Sequence, residues 1–159
     1  MKNILISICL IGLNLTLLGC SPFKGDFNFK GTTYSHVKKM SGGEITNHFY
    51  TPNGEEMTSA REFIQILEVS DKIPKIEWPV RFKPLYNQYK LEPFNDEEFE
   101  LTGRGQKSGF TFNSYATLIT MKGKEYMAMY INTINADEND ESDSEKIDII
   151  SELQVIRFE

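Results

Sequence analysis

The chain opens on a nearly continuous apolar run, Ile4 to Leu18, broken only by Ser7, Gly12, Asn14 and Thr16. Beyond it the hydrophobic pattern becomes periodic. Phe29 to Lys39 and Glu44 to Tyr50 alternate in the manner of strands, and Gly42-Gly43 between them predicts a hairpin. Pro52-Asn53-Gly54 supplies a second turn. Ser59-Ala60-Arg61-Glu62 has the spacing of a capping box, and Ala60, Phe63, Ile64 and Leu67 follow at helical intervals. A helix is therefore expected over 60–70, closed by Ser70-Asp71-Lys72 and Pro74. Trp78, Phe82, Leu85, Tyr86 and Tyr89 predict a short helix over 77–89, broken at Pro84.

The pattern then returns to strand. Phe99 and Leu101 begin one, and Gly103 to Gly109 reads as a loop. Phe110 to Ile134 reads as a hairpin turning at Lys122-Gly123-Lys124. Its return limb is apolar or aromatic on both faces, with Tyr126, Ala128 and Tyr130 against Met127, Met129 and Ile131, which predicts a place in the middle of the sheet. After a polar stretch, Ile147, Ile150 and Leu153 stand at helical spacing behind a Ser144 cap, and Val155 to Phe158 suggests an edge strand. These elements together predict an α+β domain: an antiparallel sheet of about five or six strands with two or three helices packed on one face. An all-β sandwich with peripheral helices is the alternative.

The opening run is too short for the ~20 apolar residues of a membrane span. With Lys2 before it and a small residue at its foot it has the shape of a secretory signal. Its end, Leu17-Leu18-Gly19-Cys20, resembles the lipobox of bacterial lipoproteins. That resemblance covers residues 1–20. It implies cleavage between Gly19 and Cys20 by the lipoprotein processing machinery. It also implies covalent attachment of a diacylglycerol and an N-acyl chain to Cys20. The expected division is a cleaved signal over 1–19, a lipidated tether over 20–28 and one domain over 29–159. Ser21 in place of Asp implies sorting to the outer membrane, periplasmic face, if the source is Gram-negative.

Loss of the first 19 of 159 residues leaves 140, enough for one domain with a real core. The full chain carries a formal net charge of −6, and loss of Lys2 takes the mature chain to −7. Bulk charge therefore argues against nucleic acid as a partner. It also implies mild repulsion from anionic headgroups, leaving the acyl chains to hold the protein at a membrane. Cys9 departs with the signal and Cys20 is blocked, so the mature domain has no thiol for disulfide, metal or catalytic use.

Candidate chemistry is sparse. Asp137, Asn139, Glu141, Asp143, Glu145 and Asp148 fall at the six ligand positions of a calcium loop. Ser142 stands where Gly makes the sharp turn and Asp148 is shorter than the usual Glu, so a solvated acidic loop is preferred. Gly103-x-Gly105-x-x-Ser108 lacks the following helix that a dinucleotide fingerprint requires. His36 and His48 are the only imidazoles, one on each limb of the first hairpin, and with a carboxylate they could serve as ligands or as acid and base. No nucleophile, base and orienter can be assembled from motifs, so an enzyme with no cofactor motif is disfavoured against a binding protein. The expected function is a lipid-anchored envelope protein that binds another protein, one version being a toxin-neutralising immunity protein. Asp137, Glu138, Asp140 and Glu141 are the expected polar contacts and Trp78 an aromatic anchor. An envelope assembly or structural factor, and a hydrolase with an unrecognised site, are the alternatives.

Overall fold

The computed structural model describes residues 23–78, 81, 94–95, 100–107, 110–134 and 143–158. Eight strands form one antiparallel sheet: β1 (Phe27–Phe29), β2 (Thr32–Gly42), β3 (Ile45–Pro52), β4 (Glu62–Val69), β5 (Phe94–Asn95), β6 (Glu100–Lys107), β7 (Phe110–Met121) and β8 (Lys124–Ile134). Their order across the sheet is β1-β2-β3-β4-β8-β7-β6-β5, curled into a half-barrel. One helix, α1 (Asp143–Gln154), lies over β7 and β8. The expected α+β arrangement with two or three helices on one face is thus overturned by a mostly antiparallel sheet: α1 is the one helix described along its length, beside a 3₁₀ turn at Lys75–Glu77 and helical residues at Trp78 and Arg81. The single sheet is not the alternative sandwich either.

The helix expected over 60–70 is strand β4, seated between β3 and β8. Ile64, Ile66 and Leu67 are fully buried there, and Gln65 and Val69 nearly so. Apolar neighbours at 63, 64, 66 and 67 satisfy helical spacing, but they also fill both faces of a central strand. Two flanking ladders decide between the readings, because each supplies backbone hydrogen bonds that a helix would make alone. Ser59 caps nothing: its hydroxyl donates to the Glu56 carbonyl oxygen in an exposed turn. The helix expected over 77–89 lies almost wholly outside the described residues. Gly103 and Gly105, read as loop, lie within β6, paired to Ser114 and Phe112 of β7.

The β2–β3 and β7–β8 hairpins turn where expected, at Gly43-Glu44 and Lys122-Gly123. Gly43 and Gly123 take positive φ (62° and 79°), which L side chains rarely adopt. Strand β8 stands beside β4 at the sheet's centre. The sheet has two apolar faces. On the helix face, Tyr34, Tyr50, Ile64, Ile66, Tyr115 and Tyr130 pack with Ile149, Ile150 and Leu153 of α1 and with Ile156. Ile147, expected on the buried stripe, is 64% exposed, and Val155–Phe158 forms no strand. On the outer face, Leu67, Val69, Phe112, Met127 and Met129 pack with Ile73 and Trp78.

The folded part begins earlier than expected. Phe23 and Phe27 are each 1% exposed within the helix-face core. Phe23 stacks on His48 at 4.2 Å and stands edge-on to Tyr126 at 4.9 Å, while the Tyr50 hydroxyl donates to the Phe23 carbonyl oxygen at 2.8 Å. Residues 23–28 therefore belong to the domain. Only Ser21 and Pro22 separate Cys20 from a residue locked into the core.

Candidate functional site

Two constellations carry polar chemistry, one toward each end of the sheet. The first contains both histidines. A bulge at Val37 shifts the β2–β3 register, so that His36 opposes Tyr50 while Lys39, not Lys38, opposes His48. The shift keeps His36, Lys39 and His48 on the helix face, where the two imidazole rings lie 5.6 Å apart. Glu68 of β4 reaches the same place, its Oε2 standing 3.8 Å from His48 Nε2, too long for a hydrogen bond.

The expected trio of two histidines and a carboxylate does converge, but not in a cleft. His48 is 1% exposed, covered by the Phe23 ring, and neither of its ring nitrogens has a hydrogen-bond partner. Burial pulls its pKa down to about 4, with the charges of His36 and Lys39 adding to the effect and Glu68 opposing it. Burial also lowers the pKa of His36, helped by Lys39 and Lys24. Both rings are thus held neutral near pH 7, and His48 has no open path to a reactant. No group of three or more His, Cys, Asp or Glu among the described residues is arranged to hold a metal ion.

The second constellation is a groove of about 460 Å³ at the opposite end, lined by Thr32, Pro52, Glu55, Arg61, Glu62, Asn132 and Thr133. Strand register builds it. Glu62 opens β4 opposite Asn132 of β8, and Pro52 closes β3 opposite Tyr34 of β2. The turn at Asn53-Gly54 is fixed by the Asn53 N–H donating to the Thr33 carbonyl oxygen, and by the Thr51 hydroxyl donating to that of Glu55. The Glu62 carboxylate accepts from the Tyr130 hydroxyl, and burial, with the Glu62 charge adding to it, pushes the Tyr34 phenol far up. Asn132 Oδ1 is buried without a partner. Two carboxylates against the one guanidinium of Arg61 leave the groove acidic, which suits a ligand presenting N–H groups. A smaller groove of about 320 Å³ lies between Lys30 and the α1 residues Glu145, Asp148, Ile149 and Glu152. There the Lys30 backbone N–H donates to Glu152 Oε2 at 2.7 Å.

Few of the expected site residues meet in this picture. Trp78 is 8% exposed, packed in the outer-face cluster with its indole N–H directed at the Ile73 carbonyl oxygen, so it belongs to the core and is no exposed anchor. Gly19, Cys20, Asp137, Glu138, Asn139, Asp140 and Glu141 lie outside the described residues. Asp143 opens α1, and Asp148 sits five residues into it with its side chain beside Lys30. Glu62, Asn132 and Arg61 escaped sequence reasoning because two of them fell in the supposed helix. Only the β4–β8 register brings Glu62 and Asn132 together. No helix among the described residues is long and apolar enough to cross a membrane. Set against known protein families, curated proteins and solved structures, the chain matches none.

Proposed function

We propose that this chain is a cell-envelope lipoprotein, anchored through acyl chains on Cys20, whose domain works by binding another protein without catalysing a reaction. The observation that carries the reading is Leu17-Leu18-Gly19-Cys20 followed within three residues by Phe23, which is locked to β3. A lipidated Cys20 would hold the domain close to the bilayer, since three residues reach only about 11 Å. That is less than half the reach of a tether running to residue 28.

The binding half of the proposal is supported by the acidic groove of Glu55, Glu62 and Asn132, which suits lysine or arginine side chains of a partner. A toxin with a cationic active site is one such partner, and the protein would then act as its immunity protein. Cys20→Ser tests the anchor. The variant is expected to take up no labelled palmitate and to leave the membrane fraction; mature-size protein still in the membranes would refute the anchor. For the binding half, Glu62→Gln with Glu55→Gln is expected to weaken capture of a basic envelope protein or to abolish protection against the toxin. Unchanged capture would remove the groove from the mechanism.

A further inference from the structure

The registers divide the charged residues between the two ends of the sheet. One end is formed by the β2–β3 turn, the 70–78 segment and the β7–β8 turn. Every described carboxylate there has a cation. Glu44 and Glu77 share Arg81 at 3.7 and 3.3 Å, Glu68 and Asp71 share Lys124 at 3.5 and 2.9 Å, and Glu125 holds Lys75 at 2.7 Å. Lys38, Lys39, Lys72 and Lys122 at this end, and Lys24 beside Phe23, are all exposed and have no carboxylate among the described residues. Met40 and Ile76, 48% and 87% exposed, stand among them. The other end presents Glu55, Glu56 and Glu62 against Arg61 and Lys30.

We infer that the lysine-bearing end is a membrane-facing surface that takes an anionic bilayer, with Met40 and Ile76 entering the headgroup region. This rests on the lipid-anchor reading for its biological setting. Phe23, the first described residue, packs on His48 and on Tyr126, which is two residues into β8 from the β7–β8 turn. Three residues reach about 11 Å, so Cys20 lies no farther than that from Phe23. The net charge of −7 does not oppose this contact. Strand β8 has 11 residues, about 36 Å at 3.3 Å per residue, so the acids at its far end lie several Debye lengths away. Exposed lysines close to an anionic surface contribute about fivefold each to partitioning, and their stems can lie along apolar lipid.

The test uses the chain from Ser21 onward, which contains every contact described above, so its outcome does not depend on whether Cys20 is acylated in the cell. Partitioning is measured at about 0.1 M salt, where the Debye length is about 10 Å, and again at higher salt, onto phosphatidylglycerol-containing vesicles and onto phosphatidylcholine vesicles, with circular dichroism reporting the fold of each variant. Salt-sensitive binding to the anionic vesicles is expected. Lys39→Gln with Lys122→Gln should weaken it about 25-fold, and Lys30→Gln with Arg61→Gln should leave it within twofold. Equal binding to both vesicle types, no binding to either, or equal losses from the two double variants would overturn the inference. So would retention on a polyglutamate support without binding to anionic vesicles, which would point to an acidic protein. Labels at Met40→Cys, Ile76→Cys and Glu56→Cys, the last exposed at the other end, add a geometric check, since this chain has no other thiol. Lipid-borne quenchers should reach the first two and not the third, and equal quenching at all three would refute the orientation.

Discussion

Replacing His48 by leucine should remove a defined part of the protein's acid sensitivity. An unfolded histidine titrates near 6.5, whereas burial holds folded His48 near 4. Between these values the unfolded chain binds a proton that the folded chain does not, so stability rises with pH. The contribution is fully present above pH 6.5 and is lost as pH falls through the window to 4. Its total is roughly 3 kcal/mol, of which about 2 kcal/mol falls between pH 7 and pH 5. His36 shifts the same way, but it stays in both proteins and cancels in the comparison. At pH 7 the variant loses the Phe23 stacking partner and sheds two buried nitrogens without hydrogen-bond partners. These effects oppose each other, and stability there should stay within about 1 kcal/mol of the parent. Urea unfolding of the parent and of His48→Leu at both pH values gives the four free energies required. The parent should lose about 2 kcal/mol more than the variant between pH 7 and pH 5. Equal losses would mean that His48 is hydrated or paired in the folded protein, and the account of a sealed neutral ring would be wrong.

Ile66→Ala, at a fully buried position of the central strand β4, should cost about 2–5 kcal/mol in the same assay; a cost below 1 kcal/mol would deny β4 its central place. Ser59→Ala should change stability by less than about 0.5 kcal/mol, because the hydroxyl meets only Glu56 in an exposed turn. A loss near 2 kcal/mol would restore the helix cap. The melting temperature of the chain from Ser21 onward should not respond to dithiothreitol, since no thiol remains to be reduced. Neutralising Asp137, Glu138, Asp140 and Glu141 to amides should slow association with a basic partner and flatten its salt dependence; stopped-flow rates that do not change would remove that stretch from binding.

The two hairpins were legible because their signals are local. Gly43 and Gly123 mark turns with positive φ, and the alternation on either side sets a register that neighbours in sequence can complete. Strand β4 was not legible, because its identity depends on partners 14 to 70 residues away. Phe63, Ile64 and Leu67 have the spacing of a helical stripe, and Ser59 with Glu62 imitates its cap. Only burial of Ile66 on the face opposite Leu67 separates the two readings, and burial is a property of the assembled sheet. The same non-locality shifted the stripe on α1. Ile147 and Ile150 were grouped by spacing, yet the sheet beneath selects Ile149, Ile150 and Leu153. Ile147 is left outside.

The charge distribution was not legible for a related reason. A sum over the chain describes the field far from the molecule, where the ends blur together, but contacts form within a Debye length. Acids and lysines are interleaved along the sequence from Lys38 to Glu77, so the lysines of this end form no contiguous segment. Strand register sorts them, because an antiparallel sheet returns the chain to the same end every second turn. Lys39, Lys72 and Lys122 thereby become neighbours of one end although 33 and 50 residues part them in sequence. Pairing groups five of the acids around Arg81, Lys124 and Lys75, which leaves two negative charges at this end against Lys38, Lys39, Lys72 and Lys122. A residue that composition would place in a flexible tether has its ring on His48 and its carbonyl oxygen on the Tyr50 hydroxyl, so core packing sets where the described chain enters the domain.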